Sequence, residues 1–233
     1  MKTLLWYSGG KDSLAVLLLN KDWWQSDDFH VAWVDTGNQF PEVYEHMEKV
    51  AKLVKNLHVI RTSTMEWQSE NGRPVDVVPT SYDAMGSYIY GNDGHVPYVS
   101  RWKCCEANLW VPMANFMWKH RPETVLRGDR GEERAAGRKE ADGINFEFPI
   151  FDWTNSDVLS FIEAEAPKVD LLQKRHYLKE GSSLDCMSCT AYNCEHQERM
   201  SYLKKMHPEL YQANEVFFRR YLSDVFHDLK EIL

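Results

Sequence analysis

The run TLLWY at residues 3–7 breaks at Ser8-Gly9-Gly10-Lys11-Asp12-Ser13, and from Leu14 to Asn20 the chain is apolar again at helical spacing. No other feature constrains the fold as tightly. A short buried strand hands over to a helix through a turn too polar for core and too glycine-rich for regular structure. Backbone N–H groups at a helix N-terminus point outward and favour an anion, and Gly9 and Gly10 let the backbone close around one. Lys11 adds a point charge, while Ser8 and Ser13 add hydroxyls. The turn therefore reads as a phosphate cradle. It is not a Walker A loop, G-x-x-x-x-G-K-S/T, because Leu5 stands where glycine is required and Lys11 is followed by Asp12. The bland alternative is a glycine-rich turn with solvated polar residues.

FHVAWVDTG (29–37) predicts a second strand ending in a turn, and LHVIRT (57–62) a third. Between them, PEVYEHMEKVAKLVKN (41–56) predicts a helix with Pro41 in its first turn and Val43, Met47, Val50 and Val54 along one face. Strand–helix–strand–helix–strand at this spacing predicts an α/β fold: a Rossmann-like parallel sheet with flanking helices. ETVLRGD (123–129) reads as a fourth strand, and INFEFPIFDW (144–153) as an edge strand or hairpin arm. TNSDVLSFIEAEA (154–166) follows as a helix, with Thr154 and Asp157 in capping-box positions. CEANLWVPMANFMWKH (105–120) is helical, interrupted or kinked at Pro112.

Residues 68–100 show no regular period. With Arg73, Tyr82, Tyr88, Tyr90 and Arg101, this stretch is either an acceptor contact or lid, or a structural insertion. From Tyr192 the tail is helical and amphipathic, and Pro208 opens a last helix. The expected division is a nucleotide-binding α/β domain over 1–166 and a small helical, cysteine-bearing C-terminal part over 167–233, packed on the first.

A chain of 233 residues supports one sizeable core with a small appendage. No apolar run is long enough for a bilayer, and nothing at the N-terminus reads as a secretory signal, so a cytoplasmic protein without membrane partners is expected. The net charge of −8 disfavours broad attraction to a nucleic-acid backbone, which gives any local Arg cluster more weight. The five cysteines are Cys104, Cys105, Cys186, Cys189 and Cys194. An odd count without an export signal points to metal or redox chemistry rather than a disulfide framework.

SGGKDS resembles the pyrophosphate loop of the adenine-nucleotide α-hydrolase superfamily, whose members split ATP between the α and β phosphates. Three further stretches extend the likeness to the phosphoadenylyl-sulfate (PAPS) reductase family. VDTGNQFPEVYEHM is similar to its D-T-G-x-x-F-P-E-x-Y stretch, GDRGEERAAGR to its G-x-R-x-x-E-S-x-x-R element, and PIFDWTNSDVLSFI to its segment around D-W-T/S. The third departs from the pattern, with Arg134 in place of Ser and the closing Arg displaced to Arg138. Arg127, Arg130, Arg134 and Arg138 nevertheless concentrate charge as a phosphate or sulfate clamp needs, with Arg130 and Arg138 as the expected ligands. An exposed Glu–Arg helix face is the alternative. The resemblance implies a nucleotide site made of Ser8, Gly9, Gly10, Lys11, Asp12, Ser13, Asp35, Thr36 and Gly128. It implies Lys11, Ser13, Arg130 and Arg138 as the catalytic residues.

Adjacent Cys104 and Cys105, a long gap, and a C-x-x-C at Cys186 and Cys189 match the spacing of the iron–sulfur members of this family. The resemblance implies a 4Fe–4S cluster on these four. Adjacent thiolates suit separate irons of a cubane better than one tetrahedral zinc, although zinc and inert buried thiols remain alternatives. Cys194 reads either as a redox or persulfide-carrying thiol beside Arg199 or as a packed thiol, and His196 as a surface histidine.

Two features bear on the chemistry. The pyrophosphate loop is intact, whereas the family's reductases tend to have a degraded one, because their nucleotide has no β-phosphate to hold. The sequence also has no cysteine after Cys194, where those reductases carry a nucleophilic one. The leading expectation is an enzyme that uses ATP and Mg²⁺ to adenylylate an acceptor, small molecule or nucleic acid, and then transfers sulfur from a donor. The alternatives are a PAPS or adenylyl-sulfate (APS) reductase served by a thiol reductant protein, and a non-catalytic nucleotide- and cluster-binding regulator. A homodimer is compatible with each.

Overall fold

The computed structural model describes residues 1–91, 96–132, 140–171, 186–191 and 197–230. Its strands are β1 (Thr3–Trp6), β2 (Phe29–Asp35), β3 (Leu57–Arg61), β4 (Arg73–Val75), β5 (Tyr98–Ser100), β6 (Thr124–Leu126), β7 (Glu140–Ala141) and β8 (Ile144–Glu147). Its helices are α1 (Lys11–Leu19), α2 (Pro41–Leu53), α3 (Thr64–Asn71), α4 (Ala84–Tyr90), α5 (Arg101–Cys105), α6 (Val111–His120), α7 (Asn155–Glu165), α8 (Gln197–Met206) and α9 (Pro208–Lys230). The chain folds into two compact units. The first comprises Met1–Asp35, Gln39–Arg61 and Pro112–Leu184; the second comprises Thr36–Asn38, Thr62–Val111 and Asp185–Leu233.

In the first unit, Leu4, Leu5 and Trp6 on β1 and Val31, Ala32 and Trp33 on β2 are buried without alternation. Strands covered on both faces belong in a parallel sheet between helical layers. The sheet has six strands in the order β3-β2-β1-β6-β8-β7, parallel throughout except for the antiparallel β7–β8 hairpin at its edge. On one face Leu4, Trp6, Ala32, Val125 and Ile144 form a core against which Met113, Phe116 and Met117 of α6 pack. Helix α1 is buried from Leu14 to Leu18, because it also packs on α7. The capping box of α7 is present: Thr154 accepts from the Asp157 N–H, and Asp157 accepts from the Thr154 N–H.

The order places β1 at a reversal. The chain leaves it sideways to β2 and β3, then returns on its other side as β6 and β8. At such a switch point the loops leaving two neighbouring strands diverge and open a crevice at the strands' C-terminal ends. Here those loops follow β1 and β6.

The second unit holds the parallel pair β4–β5 with α3, α4, α5, α8 and α9. Helix α9 lays a stripe of Asn214, Phe217, Tyr221 and Asp224 inward, spaced at three and four residues. Phe217 and Tyr221 join Val75 and Tyr98 in one core. The stretch without a regular sequence pattern thus holds four short elements between Arg73 and Ser100: β4, a 3₁₀ turn at Thr80–Tyr82, α4 and β5.

The helix expected over 105–120 begins earlier, at Arg101, and passes through a π-helical turn at Glu106–Trp110. Pro112 explains the turn. It has no N–H to offer the Asn108 carbonyl, and its ring would crowd that oxygen in a regular helix. The widened turn relieves the clash, and the Thr62 hydroxyl donates to the Asn108 oxygen instead, at 3.1 Å. Among the described residues, no helix is long and apolar enough to cross a membrane.

Candidate functional site

The loop from Ser8 to Ser13 leaves β1 in the first unit and closes on itself. The Ser8 N–H donates to Ser13 Oγ at 3.2 Å, the two serine hydroxyls lie 3.0 Å apart, and Ser13 Oγ donates to the Gly10 carbonyl at 3.0 Å. Gly9 has φ +83°, a left-handed conformation that strains any side chain. Gly10 caps α1 without a side chain, so no side-chain oxygen competes for the N–H groups of the first turn. A helix start of this kind is suited to an anion.

Gly128, in the loop after β6, is needed for a different reason. A Cβ there would stand 2.8 Å from the Asp12 carbonyl carbon and 2.9 Å from the Ser13 nitrogen. The two loops at the switch point therefore touch backbone to backbone, and only glycine fits. Just beyond, Arg130 is 3 % exposed. Its Nε donates to Asp12 Oδ1 at 2.8 Å and its Nη1 to Glu132 Oε2 at 2.7 Å. Lys11, also buried, donates through Nζ to Asp12 Oδ2 at 2.7 Å. One carboxylate thus gathers both cations beside the helix start. Glu132 in turn accepts from the Asn155 N–H at 3.1 Å, which ties Arg130 to the start of α7.

Asp35 ends β2, where it accepts from the Tyr44 hydroxyl at 2.9 Å. Arg127 pairs with Asp129 at 2.7 Å. Arg134 and Arg138 lie outside the described residues, as do Cys194 and His196.

Thr36–Asn38 belong to the second unit and meet the C-x-x-C segment there. Thr36 Oγ1 lies 3.6 Å from Cys186 Sγ. The C-x-x-C closes as a turn, with the Cys189 N–H donating to the Cys186 carbonyl at 3.0 Å. Cys104 is buried in α5, and its sulfur accepts from Gln68 Nε2 at 3.7 Å and Asn108 Nδ2 at 3.9 Å. Burial pushes the Cys104 thiol up, the Gln68 hydrogen bond partly offsets this, and charge on nearby Cys189 adds to the rise. Cys105 and the two C-x-x-C thiols are partly exposed. Among the described residues, no three His, Cys, Asp or Glu side chains are grouped so as to hold a metal ion. Polar groups do lie at two of the sulfurs, Gln68 and Asn108 at Cys104 and Thr36 at Cys186, contacts of the kind that orient thiolate ligands.

A family model described as the phosphoadenosine phosphosulfate reductase domain matches residues 2–192. The chain belongs to that family. Among curated proteins, it is 28 % identical over 209 residues to MJ0973 of Methanocaldococcus jannaschii, a match covering 88 % of this chain and 44 % of the relative. It is 23 % identical over 174 residues to an adenosine 5'-phosphosulfate reductase of Anoxybacillus flavithermus, covering 71 % of this chain and 63 % of the relative. The chain thus spans roughly half to two thirds of the length of these proteins. Among solved structures, the PAPS reductase of Candida auris in complex with phosphate superposes with a TM-score of 0.50 at 18 % identity, covering 71 % of this chain and 73 % of that one. That likeness is one of fold, a mostly parallel sheet with flanking helices.

Within this family member, sequence reasoning missed Glu132, Asn38, Gln68 and Asn108. Two of them carried a local signal: Asn108 stands one helical turn after Cys104, and Glu132 two residues after Arg130. Asn38 and Gln68 act on partners that only the fold brings near.

Proposed function

We propose that the chain is an ATP-consuming sulfurtransferase of the PAPS reductase family. The observation that carries this reading is the intact Ser8–Ser13 loop at the uncapped start of α1, with Lys11 and Arg130 gathered there by Asp12. An acceptor nucleophile attacks the α-phosphorus of ATP, the bond to the β-phosphate oxygen breaks, and pyrophosphate leaves. The N–H groups of the loop, with Lys11 and Arg130, stabilise charge as it develops on the leaving group. Ser8 and Ser13 fix the loop's shape. Arg138, from the same charged segment, is assigned to the clamp by its sequence position. Asp35 and Gly128 complete the nucleotide site in this reading, and Thr36 is assigned to it by its sequence position. A sulfur nucleophile then attacks the acceptor carbon that bears the adenylylated oxygen, the carbon–oxygen bond breaks, and AMP leaves with that oxygen.

In this reading Mg²⁺ would neutralise polyphosphate charge, with Asp12 or Asp35 helping to position it. Cys104, Cys105, Cys186 and Cys189 would hold a 4Fe–4S cluster, which when bound supplies the sulfur-handling or electron-transferring centre. The reading is tested by following pyrophosphate release from ATP with and without candidate acceptors. Acceptor-dependent release that is lost in Lys11→Ala and Ser13→Ala supports it; release unchanged in both overturns it.

The APS reductase among the curated relatives favours a second reading, reduction of a sulfonucleotide with release of sulfite. Labelled sulfonucleotide incubated with the protein and thioredoxin separates the two, since only the reductase yields sulfite.

A further inference from the structure

Burying a carboxamide is costly unless each of its polar atoms finds a partner. The second unit buries three close to its cysteines: Asn38, 2 % exposed, Gln68, 6 %, and Asn108, 4 %. Each is engaged with the cysteine-bearing segments. Asn38 grips the turn between Cys186 and Cys189 from three sides. Its carbonyl accepts from the Met187 N–H at 2.6 Å, its Oδ1 from the Ser188 N–H at 3.2 Å, and its Nδ2 donates to Ser188 Oγ at 2.7 Å. Ser188 Oγ also contacts Met65 Sδ at 3.1 Å, which links the turn to α3. From that helix Gln68 donates to Cys104 Sγ, and from the π-helical turn Asn108 Nδ2 is shared between the Cys104 carbonyl, at 3.0 Å, and its sulfur.

We infer that Asn38, Gln68 and Asn108 form an amide cradle for the cysteine-bearing segments, with Asn38 as the positioning residue of the C-x-x-C turn and Gln68 and Asn108 tuning the Cys104 sulfur. The inference rests on the cluster reading for its purpose, but the cradle is a property of the chain's own residues. Carboxamides suit this task. They donate to sulfur, and so stabilise negative charge on a thiolate, without introducing a cation that would form an ion pair of its own. Asn38 also fixes both backbone N–H groups between the two cysteines. The turn therefore keeps its shape without relying on N–H···S bonds of its own.

The test uses the full chain, first without metal. Hydrogen exchange followed by mass spectrometry over residues 186–191 should quicken about tenfold in Asn38→Ala, because the side-chain bonds closing the turn are gone. Asn38→Asp keeps an acceptor for the Ser188 N–H, and the Ser188 hydroxyl can turn to donate, so exchange should return close to the wild-type rate. Should Asn38→Ala fail to fold, Ser188→Ala removes the same contact from the exposed side and should give a smaller acceleration, about threefold. Unchanged exchange over 186–191, or an equal acceleration throughout the protein, overturns the positioning role.

Anaerobic reconstitution with iron and sulfide supplies the second arm. Removing the Gln68 donor in Gln68→Leu should shift the cluster's midpoint potential to a more negative value in an EPR-monitored titration, because hydrogen bonds to ligand sulfur favour the reduced state. An unmoved potential overturns the tuning role. Wild-type protein that takes up neither iron nor sulfide refutes the cluster reading, while the exchange measurement still decides on the cradle.

Discussion

Gly128 lies so close to the first turn of α1 that a methyl group on it would meet the backbone of Asp12 at 2.8 Å. The neighbouring atoms are main chain and have no rotamer to change, so one of the two loops must move. Gly128→Ala should cost roughly 1–3 kcal/mol of stability, the usual range for overpacking a tight site. It should also weaken ATP binding about tenfold, because the displaced segment forms the anion site. Urea unfolding and calorimetric titration with ATP measure the two effects. A variant with wild-type stability and affinity would mean that the two loops separate readily.

Asp12 is the common partner of two buried cations, with side-chain exposures of 7 % for Lys11 and 4 % for Arg130 against 21 % for Asp12. Asp12→Asn leaves both cations without their shared charge. The cost should be roughly 2 kcal/mol, below that of breaking a fully buried pair because Asp12 is partly solvated. A polyphosphate in the loop would restore the missing negative charge, so ATP should raise the melting temperature more in Asp12→Asn than in the wild type. Thermal shift with and without ATP checks this. An ATP-induced rise smaller than that of the wild type would count against phosphate contacts from Lys11 and Arg130.

The parts of this fold that were legible in the sequence are those whose cause is local. TLLWY and FHVAWV announce doubly covered strands by their nearly continuous apolar runs, and SGGKDS announces its turn by composition. The second unit is harder to read. β4, β5 and α4 are three, three and seven residues long, too short for a period to establish itself. They are held by partners far along the chain: Thr190 Oγ1 on the Pro74 carbonyl, Tyr98 on Asp224, and the Tyr221 hydroxyl on Val77. The candidate site divides in the same way. Lys11 and Ser13 are visible in the loop motif, whereas the bridge from Asp12 to Arg130 spans 118 positions and that from Asn38 to Ser188 spans 150.

Tyr98 donates its hydroxyl to Asp224 at 2.6 Å inside the core of the second unit. Burial, with the neighbouring Asp224 carboxylate adding to it, pushes the phenol well above its ordinary value. A folded-state pKa raised above the unfolded one contributes stability that is complete below about pH 10 and is lost as pH rises beyond it. Alkaline unfolding should therefore begin near pH 10 and be shallower in Tyr98→Phe. The variant should also lose about 1 kcal/mol at neutral pH, since Asp224 loses this donor and keeps Arg220 at 3.6 Å. Urea midpoints from pH 8 to 11 test both effects, and an identical alkaline slope in the variant would remove Tyr98 from the account.

His30 and His58 meet across neighbouring strands of the first unit, with Nδ1 of His30 2.9 Å from Nε2 of His58. The Asp27 carbonyl can only accept, so the contact at 3.0 Å requires the proton of His30 on Nε2. His30 Nδ1 then accepts from His58 Nε2–H, so the contact is lost when His30 takes up a proton on Nδ1. Burial lowers both pKa values, and for His58 the nearby His30 and His120 lower it further. A lowered folded pKa gives stability present above the unfolded value of about 6.5 and lost as pH falls through the folded one. The urea midpoint should fall between pH 7 and pH 5, by more in the wild type than in His58→Phe, which has no imidazole to protonate at that position. Phenylalanine also keeps an aromatic ring beside Phe116, whose centroid lies 5.2 Å from that of His58, so the variant should remain folded. An equal acid-side fall in the two proteins would show that protonation of this pair does not govern the loss.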